Sequence, residues 1–411
     1  MNKGITRKEV RERLKKYEIS IDDLDKTAII SFKEDMKKLS DSRQKSKRVY
    51  KIWDVIVTAF IAVLANQDTW EEIHDFVEVK YDFFKSFLKM TGGVPSAKTY
   101  ERIFAVIKPE ELENICVLFV IKVLKIFKSE RDIMSIDGKV DRGSSRNENE
   151  LRDKIKPLNV LNVYSNNYGI CIASEMIDDK TNEITAVPTI LSRINAKDAI
   201  ITWDALNTTK KNVSTVIEHK ADYVVALKKN CESFYEDLEI YFDDDKLDMI
   251  KAGALKSTYG VNVEKANSNI ITYEYFQTED VKWYHDISSW KSLNSFGLVR
   301  KTIERNGNKT VEKRFYISSL FNDIALFSKA IRNHWGVENN LHWQLDYTFK
   351  MDNNTTMNKN ALFNLQLIKK LALAIIKNAK DVYHTSLSAI RNRLSINFEV
   401  EILRLLNIIT H

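Results

Sequence analysis

Residues 132–139 read DIMSIDGK and residues 199–204 read AIITWD, two short apolar runs that each carry an aspartate at or near the carboxyl end. Runs of this length, rich in isoleucine and bounded by polar residues, predict strands that are buried on both faces. The two aspartates are Asp137 and Asp204. How the two strands pair, and therefore where the aspartates lie, depends on the elements between and after them.

These neighbouring segments alternate between strand and helix patterns. Two predicted strands follow the first one and are joined by Ser165-Asn166-Asn167, which is a hairpin signal. Crossover helices then connect further strands, so we predict an α/β fold with a mixed sheet. In chain order the predicted elements are strands at 132–139, 158–164 and 168–176, a helix at 182–194, a strand at 199–203, a helix at 208–220 and a strand at 223–227.

This order of elements predicts that the two aspartates are neighbours. With right-handed crossovers, the first strand lies in the middle of the sheet, beside the fourth. Asp137 and Asp204 then meet at the carboxyl edge of the sheet, where ligand sites form in open α/β folds. Taken singly, either aspartate is better explained as a turn or a helix cap at the end of a strand, and it is the topology joining the two that favours a site.

Two further regions flank the predicted sheet. Residues 1–128 are expected to form an all-helical domain, with Asp68 capping a helix at 70–79 and Ser96 capping a helix that runs through Phe104. Residues 129–411 are expected to form the second domain. It is interrupted at about 231–320 by an α/β insertion rich in strands, and it is closed by a long helix at 322–347 and further helices.

The composition excludes several classes of protein. The 411 residues are 44% apolar and 29% charged, as in globular proteins. Three widely spaced cysteines exclude a disulfide scaffold and a zinc knuckle. The first residues lack the apolar core of a signal peptide, and the longest apolar stretch, 52–65, is too short to span a bilayer. We therefore expect a cytoplasmic protein that does not enter a membrane.

The net charge of +6 is concentrated at the start of the chain. The first 50 residues hold 15 Lys and Arg against 9 Asp and Glu, whereas the rest of the chain is balanced. Such a basic arm, with Arg43, Lys45, Lys47 and Arg48, predicts salt-dependent contact with a polyanion, most simply nucleic acid. A solvated, lysine-rich helix face explains the same charge, and composition does not separate the two interpretations.

The predicted long helix contains an unusual polar segment, RNHWGVENNLHW, at residues 332–343. His334, Glu338, His342 and Asp346 recur every four residues, so they share one face of a regular helix. Glu338 is the candidate third acid beside the two strand aspartates. A zinc or di-iron site is an alternative, although the HExxH spacing is absent. A buried hydrogen-bonded network, with both tryptophans in the core, is another.

Three carboxylates at one place require a counterion. Two like charges 4 Å apart repel by about 4 kcal/mol at an effective dielectric constant of 20. Carboxylate oxygens suit Mg²⁺ or Mn²⁺, which take their remaining ligands from water and phosphate. Two such ions can activate a water or a 3′-hydroxyl and stabilise the leaving oxygen in phosphoryl transfer. The sequence therefore predicts a site for two divalent ions at Asp137, Asp204 and Glu338.

Several blocks of the sequence together resemble the DDE transposases of bacterial insertion sequences, and more narrowly the H-repeat-associated group. The resemblance runs from about residue 25 to about residue 380, and it implies a ribonuclease-H-like catalytic fold and an N-terminal transposase-associated domain. It also implies that Asp137, Asp204 and Glu338 are the acidic triad. The matching blocks are SIDGK at 135–139, RGS at 142–144, DALNT at 204–208, the segment 332–346, and shorter stretches at 93–96, 182–188 and 222–228.

The resemblance implies a transposase that cuts DNA at the inverted repeats of its element and transfers the strand into target DNA. Two ends must be held together, so a homodimer on double-stranded DNA is expected, associated with the bacterial nucleoid. Two alternatives stay open: an inactive or co-opted DNA-binding protein, and a ribonuclease-H-like nuclease that joins nothing.

Several basic side chains outside the N-terminal arm are predicted to contact DNA. Lys139 and Lys228, at strand ends, are expected to hold phosphate oxygens as point charges, although each is equally explained as a solvated strand end. Arg332, before Glu338 on the same helix, is expected to contact a phosphate. We assign three further residues of the matching blocks to DNA binding: Arg142, His334 and His342.

Overall fold

The computed structural model describes residues 6–125, 131–145, 156–177, 182–228, 231–266 and 269–410. The chain divides into two compact units. One comprises Met1–Lys128, Val140–Asn159 and Leu341–His411, and the other comprises Ser129–Lys139 and Val160–Asn340. The predicted domain boundary at 128/129 lies outside the described residues, and the predicted division into domains stays a prediction.

A nine-stranded mixed sheet forms the centre of the second unit, in the order β3-β2-β1-β4-β5-β9-β8-β7-β6. Strand β1 pairs with β4 in parallel, and β4 pairs with β5 in parallel, whereas β5 pairs with β9 in the antiparallel direction. The strands are β1 (Ile133–Asp141), β2 (Leu158–Ser165), β3 (Ile170–Ile177), β4 (Ile200–Trp203), β5 (Asp222–Leu227), β6 (Ser257–Ala266), β7 (Asn269–Thr278), β8 (Ser295–Arg305) and β9 (Asn308–Ser318).

Helices cover both faces of this sheet because its central strands are apolar on both sides. Alternate residues of β1 show this: Met134 and Ile136 belong to one core cluster, whereas Ile133 belongs to another, which includes Phe327. Gly297 permits the close packing of Phe327 on β8, since a Cβ there would lie 2.1 Å from the phenyl ring. The helices of this unit are α8 (Glu183–Ser192), α9 (Lys210–Glu218), α10 (Glu232–Tyr241), α11 (Asp244–Lys251) and α12 (Ile324–Val337).

The first unit is built from helices that lie at both ends of the chain. The 25-residue helix α14 is almost entirely buried and packs against α3, α6 and α7. The helices of the first unit are α1 (Arg7–Lys15), α2 (Ala28–Met36), α3 (Ile52–Leu64), α4 (Trp70–Val79), α5 (Tyr81–Lys85), α6 (Ala97–Val106), α7 (Pro109–Val123), α13 (Trp343–Tyr347), α14 (Lys359–Tyr383), α15 (Leu387–Ile396) and α16 (Phe398–Ile408).

The helix caps confirm one prediction and correct another. Ser96 caps α6 as predicted, with its side chain accepting from the Thr99 amide. The cap of α4 is Thr69, which forms a reciprocal capping box with Glu72. Asp68 is therefore not the cap. Its side chain is buried and paired with distant cations, a role that local sequence does not reveal.

The predicted fold class is confirmed, including the position of β1 between β2 and β4. Two details differ from expectation. The insertion contains an additional strand, β6, whose mixed composition gave no clear alternation. The predicted helix at 322–347 is interrupted after α12 by a π-helical segment, Glu338–His342, before α13 begins. None of the helices in the described part of the chain combines the length and apolar composition that a membrane crossing requires.

Candidate metal and nucleic-acid site

Two aspartates lie side by side where β4 ends: Asp204 directly follows β4, and Asp137 lies in the middle of β1, which continues to Asp141. Ile136 is the register partner of Trp203, so Asp137 and Asp204 are the next positions along two adjacent parallel strands. Adjacent strands lie about 4.8 Å apart. Side chains alternate along a strand, and Ser135 and Thr202 both face α12, so the two aspartates project toward the same side.

Glu338 reaches this edge from the end of α12. Its carboxylate and that of Asp137 offer oxygen atoms within 4.8 Å of one another. Glu338 is exposed and begins the π-helical segment, whereas Asp137 is half-buried. Single π-helical turns are rare and occur frequently at functional sites. The two carboxylates offer only oxygen ligands, which are the ligands that Mg²⁺ and Mn²⁺ prefer.

Asp204 does not join that group among the described residues. Its Oδ1 atom lies 3.4 Å from Nε2 of His334 on α12. The hydrogen bond from His334 holds the pKa of Asp204 below its usual range, and the positive charges of Lys228 and Arg314 add to this effect. Asp204 is thus kept ionised and directed toward α12, one strand away from Asp137.

His334 is itself held by a chain of hydrogen bonds across the sheet. Its Nδ1 atom lies 3.3 Å from Oγ1 of Thr202, and that hydroxyl donates to Oγ of Ser135 at 3.1 Å. The imidazole ring of His334 therefore lies between Thr202 and Asp204, with one contact at each of its two nitrogens.

The other end of this chain of hydrogen bonds fixes the position of α12 against the sheet. Ser135 donates to the carbonyl of Asn333 at 3.2 Å, and Asn166 donates to Ser135 at 2.8 Å. Gly336 lies against Asn166, since a Cβ on this glycine would lie 2.3 Å from the amide oxygen. The glycine in the HWG sequence therefore lets the helix pass close to the sheet. This contact explains why position 336 is a glycine, which the spacing of the motif residues does not explain.

The residues predicted to share one polar helix face differ in their exposure to solvent. His334 has a side chain that is 15% exposed, Glu338 is exposed, and His342 is buried. The π-helical segment Glu338–His342 breaks the regular four-residue repeat of an α-helix. Trp335 and Trp343, expected in the core under one interpretation, are 44% and 50% exposed.

The predicted phosphate-binding residues lie in different surroundings. Lys139 is 6% exposed, so its ammonium group is not on an open surface. Lys228 follows β5 and is exposed, close enough to Asp204 to lower the pKa of that carboxyl. Arg142 is exposed in the short 3₁₀ turn Arg142–Ser144. These placements distinguish the three basic residues, but their roles stay predictions.

Arg332 borders a cleft of about 290 Å³ between α12 and the strands of the insertion. Its guanidinium pairs with Glu264 and lies 5.4 Å from the ring centre of Tyr273. Arg314 stacks on Trp335 at 4.8 Å. Aromatic faces and guanidinium groups together can stack bases and pair with phosphates. The cleft is lined by Tyr273, Tyr275, Val299, Lys301, Arg314, Tyr316, Ile331, Arg332, Trp335 and Asn339.

The basic arm is only partly available to a ligand. Arg43 pairs with Asp41 at 2.8 Å, and Arg48 donates to the carbonyl of Arg43 at 2.9 Å. The hydrogen bond from Arg43 lowers the pKa of Asp41. Lys45 and Lys47, by contrast, are exposed and form no ion pair with any residue that the structure describes. The two arginines thus stabilise the local turn, while the two lysines face solvent.

Sequence reasoning missed the residues that surround the acids. Ser135, Thr202 and Asn166 lie next to singled-out motifs, but only the strand register shows that they share one hydrogen-bonded chain. Tyr273 and Arg314 come from strands of the insertion that carry no motif. Their alternation on β7 and β9 was the available signal, since residues two apart share a face.

Comparison with known proteins gives a consistent result. The family described as Transposase DDE domain matches residues 128–375, and the family described as DDE_Tnp_1-associated matches residues 33–120. "Putative transposase YncI" of Escherichia coli O157:H7 is 28% identical over 84% of this chain and 86% of that protein. "H repeat-associated putative transposase YhhI" of Escherichia coli K12 is 28% identical over 83% of this chain and 89% of that protein.

One solved structure was also matched along most of the chain. It is a piggyBac transposase synaptic complex with hairpin DNA, which covers 96% of this chain and 81% of that chain at 11% identity and a TM-score of 0.40.

Proposed function

Because the chain belongs to the Transposase DDE domain family and resembles its H-repeat-associated members, we propose that it is a DNA transposase. It would cut phosphodiester bonds at the inverted repeats of its own element and transfer the freed ends into target DNA. The observation that carries this proposal is the approach of the Asp137 and Glu338 carboxylates within 4.8 Å, beside the end of the strand that carries Asp204.

Asp137, Asp204 and Glu338 would hold divalent metal ions, Mg²⁺ or Mn²⁺ and two in number. Their oxygen ligands fit such ions, and a bound cation offsets the repulsion between two carboxylates this close. When bound, a pair of ions lowers the pKa of an attacking hydroxyl group and stabilises charge on the departing oxygen. The His334 hydrogen bond would keep Asp204 ionised and oriented for this task.

The reaction proceeds in two displacements at phosphorus. In the first, water attacks in line with the 3′ oxygen: a bond from phosphorus to the water oxygen forms, the bond to the 3′ oxygen breaks, and a 3′-hydroxyl is released. In the second, that hydroxyl attacks a phosphodiester of the target, and the target's own 3′ oxygen departs. The first displacement consumes one water and converts a phosphodiester into a 3′-hydroxyl and a 5′-phosphate, and the second forms one phosphodiester bond for the one that it breaks, so neither step requires an oxidant or an energy donor.

DNA would enter along the aromatic and cationic cleft. The cleft offers the faces of Tyr273 and Trp335 together with the guanidinium groups of Arg314 and Arg332. A base stacks on an aromatic ring, and a guanidinium pairs with a phosphate in a bidentate manner. Lys45 and Lys47 of the arm would add affinity that depends on salt and not on sequence. Two copies of the chain would hold the two ends of the element.

The central test is cleavage of a labelled duplex that carries one end of the element. We expect nicking at the repeat end that requires Mg²⁺ or Mn²⁺, stops when the metal is removed with a chelator and returns when it is restored. Addition of target DNA should then yield a joined product. Binding without nicking would favour the inactive or co-opted DNA-binding protein. Nicking without joining would favour the nuclease.

Replacement of His334 with alanine tests its proposed role beside Asp204. Loss of a hydrogen bond that orients a metal ligand typically weakens metal affinity about 10- to 100-fold. We therefore expect His334→Ala to raise the half-saturating Mn²⁺ concentration by that factor, measured by titration calorimetry without DNA. His334→Gln, which retains one donor, should recover part of the affinity. His285→Ala, an exposed histidine in the same unit, should change nothing. Unaltered Mn²⁺ affinity in His334→Ala would refute the role.

A further inference from the structure

Strand β6 is the outer edge of the nine-stranded sheet. It pairs with β7 along its whole length, from Ser257 opposite Thr278 to Ala266 opposite Asn269, in a continuous register without a bulge. No other described strand pairs with β6. The backbone groups on its outer side are thus a template for a further strand.

The central part of this edge lacks the usual features that prevent strand addition. Natural proteins block exposed edges with proline, with bulges or with central charges. β6 contains no proline, and the five residues from Tyr259 to Val263 carry no charge. Val261 and Val263 lie on one face of the strand, and both are 57% exposed. An open, β-branched and uncharged edge of this kind is suited to pairing with another strand.

From these features we propose that β6 is a dimerisation edge, where a second copy of this chain adds its own β6 in the antiparallel direction. A twofold axis at Asn262 places Val261 opposite the partner's Val263 and Tyr259 opposite the partner's Lys265. The same register places Gly260 opposite the partner's Glu264. β-Branched pairs and a cation on an aromatic ring are favourable cross-strand pairs, and no like charges meet. Because each copy presents the same segment, the interface closes as a dimer.

The proposal rests on the proposed function only for the need to hold two DNA ends, and it is independent of the metal chemistry. The paired segment is short, so we expect reversible, micromolar association of the full chain without DNA. Asp137→Asn should retain the dimer whatever its effect on cleavage. Failure of dimerisation is therefore distinguishable from failure of the catalytic proposal.

Sedimentation equilibrium over the micromolar range tests the proposal. The double variant Val261→Lys/Val263→Lys should weaken dimerisation at least about 10-fold, because like charges would face each other across the twofold axis. The matched control is Val311→Lys, which changes a valine that is 59% exposed on an inner strand of the same sheet and should leave dimerisation unchanged. Equal thermal unfolding of all variants would show that the fold is intact.

A crosslinking experiment gives a second, independent measurement. Asn262→Cys places one thiol of each copy at the twofold axis, so mild oxidation should produce a disulfide-linked dimer that wild-type protein and Thr302→Cys do not form. A wild-type chain that remains monomeric at all concentrations would overturn the proposal. So would a dimer that the two lysines do not weaken, or an Asn262→Cys variant that does not crosslink.

Discussion

Asp137→Asn should abolish metal-dependent cleavage of the repeat end while leaving DNA binding intact. Asparagine keeps the size of the side chain but removes the charge that faces Glu338, so the site loses a ligand of the divalent ions. The charge stabilisation supplied by such ions is worth several kcal/mol, and its loss lowers the rate by about 10³-fold or more. The measurement is the single-turnover rate of nicking at saturating Mg²⁺, beside a gel-shift measurement of DNA affinity.

The matched controls separate chemistry from binding. Asp248→Asn removes an exposed carboxylate in the same unit and should retain the wild-type rate. Arg332→Gln and Trp335→Ala change the aromatic cleft and should show the opposite pattern, with weaker DNA affinity and an unchanged affinity for Mn²⁺. If Asp137→Asn nicks DNA at the rate of the wild-type chain, the catalytic assignment of this edge is wrong.

The positions of the two aspartates could be predicted from the sequence because strand ends follow from local patterns. The apolar run of β4 stops at Asp204, and the order of strands places β1, with Asp137 in its middle, beside β4. The resemblance to transposases adds Glu338. The π-helical segment could not be predicted, since the residues at 338–342 also suit a regular α-helix. His342, the last residue of this segment, is buried.

The surroundings of the acids depend on contacts between residues far apart in sequence. One interpretation of the sequence places Trp335 in the core, whereas it lines the cleft beside Arg314. The prediction that His334 binds DNA stays a prediction, and the structure places its Nε2 atom 3.4 Å from Oδ1 of Asp204. In both cases the contacting residue comes from a distant part of the sequence, which residue type and spacing alone do not identify.

Asp68 depends most strongly on contacts with residues far away in the sequence. Local pattern indicated a helix cap, because an aspartate stood directly before a helix, but its partners come 301 and 323 residues later in the chain. Lys369 and Arg391 are both fully buried, and their cationic groups lie 3.5 Å and 2.9 Å from Oδ1 of Asp68. Thr69 provides the cap instead, so the Asp68 carboxylate pairs with the two cations and does not cap the helix.

The buried cluster of Asp68, Lys369 and Arg391 leads to the second large effect that we expect. Asp68→Asn should lower the free energy of unfolding by about 3–5 kcal/mol, because two buried cations lose their counterion. Arg391 also donates to the carbonyl of Val63 at 2.7 Å, and Lys369 donates to that of Phe349 at 2.8 Å. These bonds hold both cations in place, so the charges cannot move to water without opening the helical unit.

The pH dependence of this loss follows from Lys369. Burial lowers the pKa of Lys369 and the charge of Asp68 opposes that shift, so removal of Asp68 lowers the pKa further. A lysine whose pKa is lower in the folded state disfavours folding at neutral pH, and this penalty decreases as the pH rises toward its value in the unfolded chain, about 10.4. The difference in unfolding free energy between wild type and Asp68→Asn should therefore shrink as the pH rises above neutral toward the pKa of lysine in the unfolded chain, about 10.4.

Urea denaturation followed by circular dichroism measures this difference, with Asp35→Asn as the control. Asp35 pairs with Lys38 on the surface at 2.5 Å, and loss of such a pair costs less than about 1 kcal/mol. The triple variant Asp68→Leu/Lys369→Met/Arg391→Met should recover much of the stability, because replacing a whole buried ion cluster with apolar side chains costs far less than breaking it. An Asp68→Asn variant as stable as Asp35→Asn would show that the cluster contributes specificity to the packing of these helices without stabilising them.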